Sequence, residues 1–580
     1  MEQLEVRSAL MGAIEKDCLF KTLDEFEFKD VHVAESIIIE ALVNLHNESI
    51  LDLNAQFLQL KRSEERQDFY SLIFIYCSTL PKLHCSVIDV VNVFIHLKYE
   101  EIPDADFAQA YFLFCKQNIE RPKVALSYLL DKPEERHELV QSTLMAAVEL
   151  DSKWVMEQFS DLAQHENSDV RRQAYLAIGR VSIEGGCSLE KRFELLDKAS
   201  TSEINSKAKS GIIRAAGLLA NQRPSLWNGI NQVLEKCLKA KESETIHEAA
   251  YLLGYDCKRA PDSTVDLLMS YLKQTSPNDK STFNLLSIVI RNAIKAEKYN
   301  IAEDLLGALL LKNDGLRIGN FGHLAHELAS ERSSVFLNRI TTKWFLSGEA
   351  LLCVALRSIV GSSHLKTPEL VIDKSVLPLS DNELFFMARK AVGWLYHYPI
   401  TGMSYLLSII PYASSDVRSR IGQLIYDPLL LSYTGKGKNY LVEKLDSLDD
   451  DSQVIVKQLL SDFDSYRSII KDAYEIKELR APQREVDLYW KDSSTKMSQN
   501  MEKSRKDSIV DLIATTQTIL YGNDTVFYAS LGDEKRRITN TMHPFSVPYE
   551  HAEMDVLDPE GIDLMLRIFR NERFKNEADS

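Results

Sequence analysis

Proline and glycine are scarce in this chain, at 16 and 22 of 580 residues. That leaves little room for turns, and long stretches repeat apolar residues every three or four positions. Helices are therefore expected almost throughout. Long hydrophobic runs are missing too. No stretch reaches about 18 consecutive apolar residues, which excludes a membrane-spanning helix. The N-terminus, MEQLEVRSALMGAIEKD, is studded with acids and lacks the basic and apolar regions of a secretory signal, so a cytoplasmic protein is expected. Zinc-ribbon spacing is absent, because none of the eight cysteines (18, 77, 85, 115, 187, 237, 257 and 353) forms a CxxC pair. Their apolar helical surroundings read as those of buried free thiols in a reducing compartment. Positive charge is in deficit, 68 Lys and Arg against 85 Asp and Glu, for a net charge of −17. Such a chain repels phosphate backbones, which disfavours non-specific nucleic-acid binding. The signatures HExxH and GxSxG and a Cys/His protease pattern are missing, as is the nucleotide-binding GxxxxGK[ST]. The nearest approach to the last, Thr434-Gly-Lys-Gly-Lys438, lacks a strand-to-helix context and reads as a turn.

What is present is a folded, soluble composition, 45% hydrophobic and 26% charged. Residues 33–48, 67–80 and 86–98 read as helices, with Pro81 and Pro103 breaking the chain between such segments. A regular pattern starts near 130. In the helix 169–183, Val170, Ala174, Ala177, Ile178 and Val181 make one apolar stripe, with Asn167 or Ser168 as cap and Gly185-Gly186 as stop. Sliding the frame by 38, so that Gly217 falls on Gly179, gives Ala208, Ile212, Ala215, Ala216 and Leu219. Sliding it 37 further, to Gly254, gives Ala249, Leu252 and Leu253, while Thr245 and Asp256 break the pattern. Amphipathic segments 189–198, 226–238 and 265–272 lie between these helices. The unit is helix–turn–helix with a period near 37. Segments 283–293, 301–311, 322–329 and 350–359 extend it to about six repeats between 130 and 365.

The stretch SDVRRQAYLAIGRV resembles the first helix of a HEAT repeat, through its Asp-Val-Arg start, its alanines and its Leu-x-x-Gly-like end. The resemblance implies an all-α fold, an α-solenoid whose small contact residues let helices stack and leave one long concave surface. Four regions are expected. Residues 1–125 form an irregular N-terminal helical region, 126–365 the repeat array, and 366–480 a second helical block after a loop at 366–380. Residues 481–580 form a small mixed or irregular C-terminal segment. Within it, 481–500 reads as polar and extended, 503–519 as a helix, and 523–538 as a short strand pair around Leu531-Gly532. The acidic stretch Glu550–Glu560, with His551, Glu553, Asp555 and Asp558, lacks the order of a calcium loop and reads as solvated. A final amphipathic helix starts with Asp558 as cap and Pro559 in its first turn. Its face of Ile562, Met565, Leu566 and Phe569 needs cover from the chain or from another protein.

One chemical signal stands out. TIHEAAYLLGYD, residues 245–256, resembles a helix of the HEAT-repeat family that includes deoxyhypusine hydroxylase, whose members bind two irons through repeated His-Glu dyads. This chain has the dyads His137-Glu138, His165-Glu166, His247-Glu248 and His326-Glu327. Their gaps of 28, 82 and 79 residues do not share the repeat, so the ligands would not converge. His323 and His326 share a helix face without a third ligand. The expectation is therefore an interaction scaffold, not an enzyme, without catalytic, cofactor-binding or metal-binding residues. It would hold a protein partner on its surface. Cytoplasmic solenoids of this kind resemble subunits of multi-gene bacterial systems, antiviral ones included. Two other readings stay open. One is a nucleic-acid-binding or base-repair protein, because small HEAT-type alkylpurine glycosylases hold DNA on such a scaffold. The other is a His-Glu metal-dependent hydroxylase.

Overall fold

The structure, a computed structural model, describes residues 3–16, 18–25, 31–62, 69–102, 106–182, 188–257, 259–312, 316–363, 367–479, 481–506, 524–531, 534–541, 550 and 552–574. It is predominantly helical and divides into two compact units, Met1–Ala325 and His326–Ser580. That division falls inside the segment 126–365 that the sequence presents as one array. No helix among the described residues is long and apolar enough to cross a membrane.

The first unit begins with α1 (Gln3–Glu15), α2 (Leu19–Glu25), α3 (Val31–Asn47), α4 (Leu53–Phe57), α5 (Phe69–Thr79), α6 (Val87–Tyr99), α7 (Phe107–Cys115), α8 (Glu120–Asp131) and α9 (Pro133–Arg136). It continues with α10 (Val140–Val148), α11 (Ser152–Leu162), α12 (Ser168–Arg180), α13 (Leu189–Ser202), α14 (Ser206–Gln222) and α15 (Trp227–Leu238). It ends with α16 (Ser243–Tyr251), α17 (Asp262–Leu272), α18 (Lys280–Lys295) and α19 (Tyr299–Lys312). These helices form two rows. In one row α1, α3, α5, α7, α10, α12, α14, α16 and α18 each pack on the next. In the other, α4 meets α6 and α6 meets α8, and further along α13, α15 and α17 stack in turn. The alternation thus starts well before residue 126.

Local chemistry explains the regular middle of this unit. Asn167 caps α12 by accepting from the amides of Asp169 and Val170 at 2.9 and 3.2 Å. Asn205, 38 residues on, caps α14 in the same way, from Lys207 and Ala208 at the same two distances. The stripes Val170, Ala174, Ala177, Ile178, Val181 and Ala208, Ile212, Ala215, Ala216, Leu219 are all buried. Each fully buried Ile, Val or Leu among them contributes about 1.5–3 kcal/mol. Gly185 and Gly186, expected to stop α12, lie outside the described residues; the helix has already ended at Arg180. Its last carbonyls are held from the neighbouring elements. The wholly buried guanidinium of Arg192 donates to Ile178 O (3.0 Å) and Val181 O (2.6 Å), and Gln222 Nε2 donates to Gly179 O and Val181 O. A buried cation is thus placed at the negative end of a helix.

The division falls within α20 (Leu324–Leu328), and the second unit continues with α21 (Ser334–Ser347), α22 (Ala350–Gly361), α23 (Asp381–Leu395), α24 (Pro399–Ile409), α25 (Ser415–Leu424), α26 (Thr434–Lys444) and α27 (Asp450–Glu475). Here α21, α23, α25 and α27 form one row, and α24 packs on α26 beside it. The stretch 367–380 has no regular structure beyond one 3-10 turn, yet it is no free loop. The amides of Leu370 and Ile372 donate to Ser404 and Ser408 on α24, while those of Val371 and Asp373 donate to Asn338 and Thr342 on α21. Alternate amides thus lace two helices together, and Leu370 and Ile372 are buried.

The C-terminal segment differs from expectation at its start. Of the residues 481–500, read as extended, all from Gln483 on belong to α28 (Gln483–Lys506). A long helix without an apolar stripe escapes a reading based on hydrophobic period. Of the helix expected at 503–519, residues 507–519 lie outside the described ones. The strand pair is present as β1 (Asp524–Leu531) and β2 (Glu534–Thr541), antiparallel with Leu531 opposite Glu534; Gly532 is outside the described residues. After α29 (Met554–Leu557), the final helix α30 (Pro559–Asn571) has Pro559 at its first position, and Asp558 accepts from Gly561 N.

Candidate interaction surfaces

The glycines that mark the repeat lie at helix contacts. A β-carbon on Gly179 of α12 would sit 2.5 Å from Ala215 Cα of α14, which is backbone and cannot yield. On Gly217 of α14 it would run into the Leu252 side chain, and on Gly254 it would meet Ile288 of α18 at an ordinary 3.5 Å. Polar ties recur at the same period beside these contacts. Arg171 pairs with Glu203 (2.7 Å), and 38 residues on Lys209 pairs with Glu242 (3.1 Å). Arg172 Nε donates to Ser210 Oγ at 3.2 Å, and His247, at the equivalent place, bonds Thr282 at 3.1 Å.

This row of helices builds an arginine–tyrosine cluster. Arg214 of α14 lies 2.7 Å from the Glu248 carboxylate, and its guanidinium carbon stands 3.5 Å from the centre of the Tyr251 ring. The Tyr255 ring is 4.9 Å from that of Tyr251, and Tyr255 is 46% exposed. A π-helical turn, Leu252–Asp256, turns Tyr255 outward at the end of α16. Burial pushes the Glu248 carboxyl up, against the pull of Arg214 and Arg172. Burial, with Arg214 nearby, holds the His247 imidazole below its usual range, so it is neutral at physiological pH. The patch therefore presents the exposed Tyr255 beside Tyr251 and the ion-paired, mostly buried Arg214.

The His-Glu dyads are separately engaged. His137 bonds Pro133 O while Glu138 pairs with Lys98; the His165 ring accepts from Asn167 N; Glu248 meets Arg214. His326 bonds Ser362 O in the second unit. No group of three His, Cys, Asp or Glu side chains is gathered for a metal among the described residues. Burial drives the thiols of Cys115, Cys237, Cys257 and Cys353 up to about 12, which leaves them protonated and poor nucleophiles. Cys187 lies outside the described residues. A cleft of about 410 Å³ opens beside Gly254, walled by Leu253, Val265, Val289 and Ile301. Two of its polar residues are engaged within the chain: Asn292 donates to Gly254 O at 2.7 Å and Lys298 pairs with Asp262 at 3.1 Å.

In the second unit, two sequence readings are corrected together. Thr434-Gly-Lys-Gly-Lys438 is not a turn but the first part of α26. Of the stretch Glu550–Glu560, the first part is not solvated but held on the body of the unit, whereas Leu557 to Glu560 are exposed as expected. The Glu550 carboxylate accepts from the amides of Gly435 (2.7 Å) and Lys436 (3.0 Å), an anion site at a helix N-terminus filled by the chain's own acid. Thr434 donates to Glu553, Arg467 pairs with it, and Tyr396 donates to Asp555 at 2.8 Å. His551 lies outside the described residues. The apolar face of α30 packs on α23 of the same unit, with Ile562 and Leu566 buried. Gly393 permits this, since a β-carbon there would meet Phe569 and the Arg570 amide at 3.0 and 3.2 Å. The wholly buried Lys390 donates to the carbonyls of Arg570 (2.8 Å) and Glu572 (2.5 Å), capping the end of α30, and Arg389 holds the Glu572 carboxylate at 2.7 Å.

Comparison with models of known protein families finds no match, and comparison with curated proteins finds none either.

Proposed function

We propose that this chain is a HEAT-like solenoid scaffold, and that it holds a protein partner on the face carrying Arg214, Tyr251 and Tyr255. The observation that carries the reading is the patch itself. Tyrosine and arginine dominate the energetic centres of protein interfaces, and here both are immobilised before any partner arrives. The recurrent ties 171–203 and 209–242 and the tight Gly179 contact support a stack of equivalent helix pairs.

The test is affinity purification of the full chain at native expression, followed by mass spectrometry, with wild type and Tyr255→Ala in parallel. Tyr255 is exposed, so the variant should melt with the wild type. The expected result is a co-purifying protein whose yield falls at least about tenfold in the variant, roughly 1.4 kcal/mol of binding. Equal recovery from both proteins would contradict the assignment of the face. Recovery of nucleic acid with a steep salt dependence would favour the nucleic-acid reading instead.

A further inference from the structure

The cleft beside Gly254 has no part in the proposed function. At about 410 Å³ it falls within the range of small-molecule sites, about 300–1,000 Å³. It opens where the repeat loses its close packing. Gly179 and Gly217 are pressed against the next helix, whereas a β-carbon on Gly254 would meet nothing closer than 3.5 Å. The π-helical turn Leu252–Asp256 falls at this break, and such turns widen a helix locally. Its carbonyls are taken up from both neighbours in the row. Asn221 of α14 donates to Asp256 O, and Asn292 of α18 donates to Gly254 O at 2.7 Å. The edge of the cleft is therefore fixed by hydrogen bonds on two sides before any ligand arrives.

We propose that this cleft binds a small amphiphile, an apolar chain that ends in a carboxylate. The walls set the apolar part: Leu253, Cys257, Val265, Val289 and Ile301 line it. Its size suits a medium-length chain, not a protein helix, which is about 10–12 Å across. The charged end follows from the lysines. Among the described residues that line the cleft, two are charged, Lys295 and Lys298, and none is acidic, in a chain of net charge −17. Both lysines lie where α18 passes into α19, so the positive charge sits on one side of the cleft. Lys295 is exposed and pairs with no acid among the described residues. Lys298 pairs with Asp262, but that side chain is 84% exposed; such a pair is worth little, and a bound carboxylate replaces it at small cost. An apolar wall with cations at one side sorts ligands by charge. It favours an anionic head and repels a cationic one.

Isothermal titration of the purified full chain with sodium decanoate tests this, with decylammonium as the charge-reversed control. The expected result is saturable one-to-one binding of decanoate with a Kd of about 10–100 µM, and binding of decylammonium at least about tenfold weaker. Lys295→Gln/Lys298→Gln should weaken decanoate at least about tenfold and leave the melting curve unchanged, since both side chains are exposed. Ala293→Trp, which fills the cleft from α18, should abolish binding. If that variant folds poorly, the lysine pair carries the test alone. Failure of decanoate to saturate below about 1 mM would overturn the proposal. Equal binding of the two ligands would overturn it as well, since apolar contact without the lysines does not select charge. So would decanoate binding that survives the lysine variant undiminished. The titration contains no partner protein, so its result is independent of the Tyr255 purification.

Discussion

Two parts of this molecule hold helices together by different means. In the first unit, α12, α14 and α16 are joined by contacts that recur along the chain. The polar ties Arg171–Glu203, Lys209–Glu242 and Arg172–Ser210 span 32, 33 and 38 residues, and the glycine contact at 179 bridges neighbouring repeats. In the second unit, the C-terminal residues 555–573 are held by contacts that bridge long stretches of chain. Arg389 reaches 183 residues forward to Glu572, Tyr396 reaches 159 to Asp555, and Gly348 O accepts from Arg573 across 225. The first joint is packing of small residues, in which every ångström is taken. The second is a set of buried and half-buried polar groups that a single helix brings with it. The lesson is that a repeat spreads its stability over equivalent positions, whereas a docked terminal segment concentrates it on a few anchors such as Lys390.

The comparison breaks most sharply at Gly179. Gly179→Val drives a branched side chain into the backbone of α14 and should cost more than about 3 kcal/mol, read as an early unfolding transition in denaturant. Gly217→Ala meets only the end of the Leu252 side chain and should cost about 1 kcal/mol. Closer in size to the Gly179 change is Lys390→Met. It strands two carbonyls at the end of α30, at about 1–3 kcal/mol for each buried group left unpaired. The loss should be local: hydrogen exchange should quicken over 559–571 and stay unchanged over α12 and α14. Protection lost equally in both places would erase the distinction between the joints.

A smaller effect separates two acids within the repeat. Burial alone would raise the Glu203 carboxyl, but hydrogen bonds from Arg171 and from the amides of Asn205 and Ile204 outweigh it, and the net shift is downward. Glu203 therefore contributes stability above the usual carboxylate range, and that contribution is lost as pH falls through its lowered folded value. Glu248 has the opposite sign. Burial raises it, so stability gains as pH falls from neutral through its raised folded value. Glu203→Gln should cost stability at pH 7 and flatten the acid side of a stability–pH curve. Glu248→Gln should cost less at pH 7 and remove the gain on acidification. The smallest change is Gly254→Ala, expected within about 0.5 kcal/mol of wild type, since the new methyl meets Ile288 at ordinary contact distance.

The first joint was legible from sequence because it repeats. Three glycines near 37 residues apart, set in alanine-rich stripes, point to helix contacts, and Asn167 was recognisable as a cap. Arg192 was not legible as the group that closes α12, since nothing local marks an arginine for burial; the element it serves comes 12 residues earlier. The second joint was hidden for the same reason. The amphipathic face of α30 and its Asp558–Pro559 start could be read, but not its seat, because Lys390 and Gly393 look like ordinary helix residues. Glu550 and its neighbours read as solvated acids because their partners, the amides of α26, lie 114 and 115 residues away. The arginine–tyrosine patch escaped notice too. Arg214 and Tyr251 occupy equivalent places in successive repeats, 37 apart, and that coincidence was the one signal that could have revealed it.

The reading as a scaffold stands on the exposed end of the repeat joint, at Tyr255. A benzophenone side chain introduced at position 255, and separately at Ile204, which is 85% exposed in the same unit, tests it directly in cells. The account predicts a protein adduct on irradiation at 255 and none at 204. Adducts in equal yield from both positions, or from 204 alone, would contradict it.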